Sequence, residues 1–267
     1  MESAEDLSGA SAQRGVPLHL YGQYFDTVRA TTPALLRECY RLRYQVYCVE
    51  HSFLEPADNP GGFETDEFDH RSLHSLLIHR SSGAPCGTVR LILPDTIQPM
   101  QSFPAQRVSK PAAAMIARLP LETTAEISRF AVSKDFRRRS GETLYADAEP
   151  ETLPPPGMIE RRLLPHITYG LFRAVMLMSL DHGITHVCAV MDPTLLRLVS
   201  RFGFHFASAG PLVNYHGMRQ PCFALLTDLM DGIREAREDM WAAGTEGGRL
   251  VPSAALEVHR KRDRSAA

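Results

Sequence analysis

The chain has 267 residues, 44% of them hydrophobic, which suits one globular domain with appendages and allows a substantial core. Twenty-nine basic residues stand against 31 acidic ones, a net charge of -2. That balance argues against a nucleic-acid binder, whose phosphate contacts need a basic excess.

Residues 1–17 are small and polar and read as a disordered N-terminus. Thr32-Pro33 starts a helix, with Thr as N-cap and Pro at the first helical position. Leu35, Leu36, Tyr40, Tyr44 and Tyr47 follow at helical spacing. A loop with Asn59-Pro60-Gly61-Gly62 leads to the acidic run Glu64-Thr65-Asp66-Glu67-Phe68-Asp69. Leu73 to Arg80, Gly87 to Leu93 and Ala125 to Val132 read as strands, and 94–120, with its prolines, as an irregular excursion. Residues 134–157, rich in Arg, Gly, Glu and Pro, read as an insertion. Leu164, Ile167, Leu171, Val175 and Met178 form the apolar stripe of a helix that Gly183 ends. Beyond it the spacing predicts a strand at His186–Met191, a helix from Asp192-Pro193 to Arg201, and a further strand that Phe204-His205-Phe206 begins. A strand from Pro221 to Leu226 and a helix over 227–242 complete a domain spanning 18–242. Residues 243–267 read as a flexible tail. Strands first, then alternating helix and strand, give an α/β sandwich with a mixed sheet.

The five cysteines, Cys39, Cys48, Cys86, Cys188 and Cys222, are scattered, odd in number and without CxxC spacing. They read as free thiols in a reducing compartment. The N-terminus is acidic where a signal peptide is basic, and no run approaches the roughly 18–20 apolar residues of a membrane span. A soluble, cytoplasmic protein with no integral membrane segment is expected. His166, His182 and His186 have no partner at metal-ligand spacing, so no metal site is expected. Met176, Met178 and Met191 read as core packing or as the lining of an acyl tunnel.

Two segments stand out chemically. In Glu64-x-Asp66-x-x-Asp69 three carboxylates crowd into six residues. They fit a solvated loop, a calcium loop (though the full EF-hand pattern is absent) or a site for a cationic group such as an ammonium. Glu126-Ile127-Ser128-Arg129 places two charges and a hydroxyl in a buried strand, where unpaired burial is costly. Alternation puts Glu126 and Ser128 on one face and Arg129 on the other unless a bulge intervenes. A structural ion pair among Arg43, Arg90, Arg129, Asp66, Asp69 and Glu126 and a catalytic role are compatible readings.

Together, Arg43-x-x-x-Tyr47, Phe53, Glu64-x-Asp66-x-x-Asp69, Gly87-Thr-Val-Arg90-Leu and Glu126-Ile-Ser128-Arg129-Phe130 resemble the acyl-homoserine-lactone (autoinducer) synthases in order and spacing. Tyr47 stands where that family has Phe, and Phe53 where it has Trp. The insertion and the ending from Phe204 to Leu226 look more like the N-acyl amino acid synthases, and within them the acyltransferases associated with exosortase systems. These departures favour an amino acid acceptor over S-adenosylmethionine.

The resemblance implies a GNAT-type α-β-α sandwich with a mixed, splayed central sheet. It implies transfer of a medium or long acyl chain to an amine by direct attack on a thioester. Glu126 is the candidate base and Ser128 the group that meets the acceptor or the departing sulfur. Glu64, Asp66, Asp69, Arg43, Arg90 and Arg129 would bind the acceptor or hold one another in place. Backbone groups near Phe130, Ala131 and Val132 would meet the thioester carbonyl. Arg137, Arg138 and Arg139 are a solvated loop or a dock for acyl carrier protein. No tightly bound cofactor is implied; the donor is the 4'-phosphopantetheine thioester of acyl carrier protein, with acyl-CoA as the alternative. An acyl-homoserine-lactone synthase and a catalytically idle acyl-binding module are the competing readings.

Overall fold

The structure, a computed structural model, describes residues 18–136 and 164–251. The expected disordered N-terminus, most of the insertion, and Arg137, Arg138 and Arg139 lie outside the described residues.

The described chain begins with a short helix, α1 (Leu18–Tyr24), and a strand, β1 (Phe25–Arg29). Thr32 then caps α2 (Pro33–Tyr44): its hydroxyl accepts from the Leu35 N–H at 3.3 Å, and Pro33 fills the first helical position. Cys39, Leu42 and Arg43 share the buried face of α2. A charged Arg43 on that face requires partners. Helix α2 runs straight into a wider π-helical segment, Gln45–Glu50, of the kind often found at functional sites.

Strands β2 (Ser72–His79) and β3 (Pro85–Ile92) pair antiparallel, and the excursion that follows holds two helices, α3 (Pro104–Val108) and α4 (Lys110–Ile116). The prolines there start helices rather than break structure, which corrects the expectation of an irregular segment. Strand β4 (Thr124–Val132) and helix α5 (Leu164–Asp181) come next, then β5 (His186–Met191) and α6 (Pro193–Ser200). Phe204 is a buried core side chain outside any strand; the strand expected to begin at Phe204 starts instead at Ala207, as β6 (Ala207–Ser208). Strand β7 (Val213–Asn214) and β8 (Met218–Leu225) form a hairpin. The expected C-terminal helix is two, α7 (Leu226–Ala236) and α8 (Glu238–Gly244), and Val251 beyond them is buried in the main core.

The sheet order is β1-β2-β3-β4-β5-β8-β6, with β7 beside β8. Among the described residues only the β4–β5 pair is parallel. Helix α5, the crossover between them, packs on one face of β1–β4, where Leu77, Val89, Leu91 and Ile127 meet Ile167, Leu171 and Val175. Helix α2 and the π-helical segment after it cover the other face through Cys39, Leu42 and Val46 against Leu76 and Ala131. Gly203 (φ +89) ends the loop after α6, where a Cβ would stand 2.0 Å from the Gly232 carbonyl of α7. No helix among the described residues is long and apolar enough to cross a membrane.

Candidate active site

The acidic run and three arginines form a closed ring of alternating charges. Arg43, from the buried face of α2, donates to Glu64 at 2.5 Å and to both oxygens of Asp69 at 2.6 and 3.1 Å. Arg90, from β3, donates to both oxygens of Asp66 at 2.5 and 2.9 Å and to Asp69 at 2.8 Å. Arg129, from β4, closes the ring on Glu64 at 2.9 Å and Asp66 at 2.9 Å. Each guanidinium bridges two carboxylates and each carboxylate two guanidinia. Burial pushes the carboxyls up, but Arg129 and Arg43 at Glu64, Arg90 at Asp66 and Arg43 at Asp69 outweigh it, so all three sit below the usual carboxylate range. Glu67, in the same run, points away and pairs with Arg107 at 2.5 Å.

Arg129 reaches this ring because β4 is irregular there. Thr88 pairs with Ala131 and Arg90 with Ser128, so Val89 alone faces Arg129 and Phe130. Arg129 adopts φ +49, left-handed for a residue with a Cβ. The bulge turns Arg129 to the face of Arg90, which overturns plain alternation. The β4–β5 ladder ends at Ile127 and Ala189, although β4 continues to Val132 and β5 to Met191. Past that point the sheet is splayed, and the cleft that opens is lined by Glu126, Ser128, Arg129, Phe130 and Val132 on one side and Val190, Met191 and Asp192 on the other. Tyr47 borders it and donates its hydroxyl to the Phe130 carbonyl at 3.2 Å.

Glu126 is 2% exposed and receives one backbone N–H, from Ala105 at 2.9 Å. Burial raises its pKa from 4.5 to about 8 against that hydrogen bond. Ser128 Oγ accepts from Arg90 Nε at 2.9 Å, which leaves its O–H to donate. The structure thus brings Glu126, Ser128, Arg129, Phe130 and Val132 to the cleft. Arg43, Glu64, Asp66, Asp69 and Arg90 do not line it; they form the support behind it. Ala131 packs on the opposite side, against α2. Of the three methionines considered for a tunnel, only Met191 lines the cleft.

Sequence reasoning missed the far wall. Arg219 on β8 donates to Asp192 at 2.9 Å, and its guanidinium lies 5.4 Å from the Phe53 ring centroid. Tyr215 and His216, at the tip of the β7–β8 hairpin, also line the cleft. The one available signal was the run Tyr215-His216-Gly217-Met218-Arg219, polar and aromatic where a hairpin turn needs only small residues.

Residues 42–146, which hold the ring and the bulge, match the family described as acetyltransferase (GNAT) domain. Over that stretch the chain is similar to GNAT acetyltransferase domains. Together with the splayed sheet, that match supports an N-acyltransferase enzyme. No curated protein sequence matches it closely enough to count as a relative. Among solved structures, TofI, in a ternary complex with an inhibitor and MTA, is similar with a TM-score of 0.54 and 18% identity, over 79% of this chain and 96% of that one. BjaI, a CoA-dependent acyl-homoserine lactone synthase solved with SAM and isopentyl-CoA, gives 0.53 and 20%, over 83% and 98%. FeeM, an N-acyl amino acid synthase from uncultured soil microbes, gives 0.50 and 16%, over 80% and 96%. At such identities the likeness establishes the fold, a GNAT-type sandwich with a splayed mixed sheet.

The ring generates two predictions. Asp69→Asn leaves three buried guanidinia facing two carboxylates and lowers stability by about 3–5 kcal/mol in chemical denaturation. His74, with Nε2 3.5 Å from Asp69 and its ring edge-on to Tyr40, is held neutral: burial and then Arg43 lower its pKa to about 4. Between about pH 4 and pH 6.5 the unfolded chain takes up a proton there that the folded chain refuses, so the contribution of His74 to stability falls as pH drops through that window. In His74→Gln that contribution is gone, so the stability of the parent relative to the variant should fall as pH drops from 6.5 to about 4, which paired melts recorded every half pH unit will show; a difference that does not change with pH would exclude His74.

Proposed function

We propose that the protein moves a medium or long acyl chain from an acyl carrier protein thioester to the amino group of an amino acid, by direct attack of the amine. The observation that carries this reading is Glu126: a buried carboxyl with a pKa of about 8, lining the cleft where β4 and β5 part, beside a Ser128 with a free O–H.

The chemistry can be assigned stepwise. Glu126, as carboxylate, takes a proton from the acceptor's ammonium, directly or through a water. The freed amine attacks the thioester carbon and the C–N bond forms. Charge moves to the carbonyl oxygen, where peptide N–H groups of β4 beyond Ile127, which have no partner on β5, can receive it. The C–S bond then breaks. The attacking nitrogen loses its second proton to water, Ser128 donates a hydrogen bond to the departing sulfur, and the proton held by Glu126 completes the free thiol, so one proton is released overall. No covalent enzyme intermediate is needed.

The donor is the finer part of the proposal. BjaI is a CoA-dependent synthase, so both thioesters belong in the assay. Arg137, Arg138 and Arg139 form a basic run in sequence suited to the acidic surface of a carrier protein, an attraction that salt would screen. All five cysteines are buried and unpaired, in keeping with a reducing, cytoplasmic setting. Kinship to the exosortase-associated acyltransferases extends the same reading and rests on the ending from Phe204 to Leu226.

The test is to incubate the protein with acyl carrier protein or coenzyme A thioesters and either an amino acid panel or S-adenosylmethionine. Free thiol and product mass are measured. An N-acyl amino acid is expected; a lactone from S-adenosylmethionine would replace the acceptor, and acyl binding without thiol release under any condition would leave an idle module.

Glu126→Gln separates catalysis from folding. The carboxyl's folded pKa is above its unfolded one, so the stability it contributes is present below about pH 4.5 and is lost as pH rises toward 8. The neutral, isosteric Gln escapes that loss. The variant should therefore melt no lower than the parent at pH 8 while turnover falls by about 100- to 10,000-fold. In the parent, kcat/KM should climb with pH up to about 8 as the base form accumulates. Near-normal turnover in Glu126→Gln would remove it from the mechanism.

Replacing Arg137, Arg138 and Arg139 together by Ala should slow transfer from carrier protein at low salt and leave transfer from acyl-CoA unaltered. Equal rates with both donors would discard the docking role.

A further inference from the structure

Arg219 keeps a guanidinium edge that no described residue uses. Its Nη1 donates to Asp192 Oδ2 at 2.9 Å and to the Met218 carbonyl at 3.1 Å, which accounts for both Nη1 hydrogens. Nε–H and the Nη2 hydrogens meet no acceptor among the described residues. The Phe53 ring covers one face of the group without blocking its in-plane donors. The side chain is 15% exposed and lines the same cleft as Glu126.

The setting holds this edge in place. Asp192 Oδ1 caps α6 by accepting the Thr194 N–H at 2.7 Å, so its Oδ2 is fixed against Arg219. Gly217, at φ +97 in the hairpin tip, leaves the room: a Cβ there would stand 3.2 Å from Arg219 Nη1. The other three arginines offer nothing equivalent. Arg43 and Arg90 bond through all three nitrogens, and Arg129 engages Nε and Nη2 with Glu64 and Asp66.

A free Nε/Nη2 edge presents two parallel donors that match the two oxygens of a carboxylate. Asp192 already balances the charge of Arg219. A carboxylate bound there is best accompanied by its own cation, which a zwitterion supplies. Along β8, Arg219 lies four residues from Phe223, which pairs with Cys188, itself paired with Glu126. The backbones are therefore roughly 13 Å apart along the strands and roughly 10 Å across them. Two long side chains reaching into the cleft from those points leave room for one small acceptor.

We propose that Arg219 binds the α-carboxylate of the acceptor, so that the acceptor is a zwitterionic amino acid rather than a simple amine. This rests on the acyl-transfer reading and names its substrate class. S-adenosylmethionine carries the same head group, and the assay has an arm for it.

Binding is measured first, without turnover. N-dodecanoylglycine and its primary amide are titrated calorimetrically into the parent, Arg219→Gln and Arg219→Lys, all checked by near-ultraviolet circular dichroism. The parent should bind the acid at least about tenfold tighter than the amide, and both variants should lose most of that preference. Equal binding by the parent, or a preference that survives in Arg219→Lys, overturns the proposal. Turnover is then compared for amino acids, their decarboxylated amines and S-adenosylmethionine. Arg219→Gln should raise KM for the amino acid at least about tenfold and leave KM for the thioester and the rate with the amine unchanged. Equal losses on acid and amine would mean a structural role and overturn it too. If the parent acylates no acceptor, the acyl-transfer reading fails alone, because the titration has already decided Arg219.

Discussion

Six charged side chains, Arg43, Glu64, Arg129, Asp66, Arg90 and Asp69, close on one another with no gap, and the site is assembled around them. Three positive and three negative groups sum to zero, which is what allows Arg43, Arg90 and Glu64 to be almost wholly buried. The ring ties α2, the 64–69 loop, β3 and β4 together at one point. Its carboxyls stay ionised far below neutral pH. It therefore acts as a fixed brace and not as a switch. Of the two roles open for the acidic run, the guanidinium contacts of these carboxylates favour holding the arginines over direct contact with a substrate ammonium.

The brace also explains the strain in β4. A left-handed backbone at Arg129 costs on the order of 1–3 kcal/mol and persists only where surrounding contacts over-determine it. Glu64 and Asp66 supply those contacts, and the Tyr47 ring lies 5.6 Å from the guanidinium carbon. The extra residue in the bulge bends β4 just where its ladder with β5 stops. Bulge, splay and cleft are thus one feature, and the charge ring is what holds it.

Much of this was legible. Thr32-Pro33 marked α2, and the apolar stripe from Leu164 marked α5, because caps and periodicity are local signals. Strand β1 was not legible: only Phe25 of its five side chains is buried, so no alternation shows. Helices α3 and α4 were hidden by Pro104 and Pro111, which read as breakers yet sit in first turns. In the site, Glu126, Ser128 and Arg129 were found because charge in a buried strand is conspicuous. Their partners could be named but not connected, since the ring's geometry depends on a bulge that sequence permits without requiring. Asp192 and Arg219 escaped altogether. Asp192 looked fully explained as a helix cap, and its second oxygen meets Arg219 only after β5 and β8 pair.

The neutrality of the ring bears on Glu126 as well. Because the six charges cancel, no net positive charge nearby offsets a carboxylate at 126, and burial is free to raise its pKa to about 8. Ionising Glu126 leaves the site one negative charge in excess. An acceptor ammonium in the cleft would supply the missing charge and favour the carboxylate. On the acyl-transfer reading, the base is thus mostly protonated in the empty site and gains its charged form when the group it must deprotonate arrives. Arg219 and Asp192, already paired, leave that balance undisturbed, since a carboxylate bound at Arg219 brings its own ammonium. The acceptor's two charges are then answered at opposite walls of the cleft, by a preformed donor edge on β8 and by a carboxyl on β4 whose ionisation the substrate itself promotes.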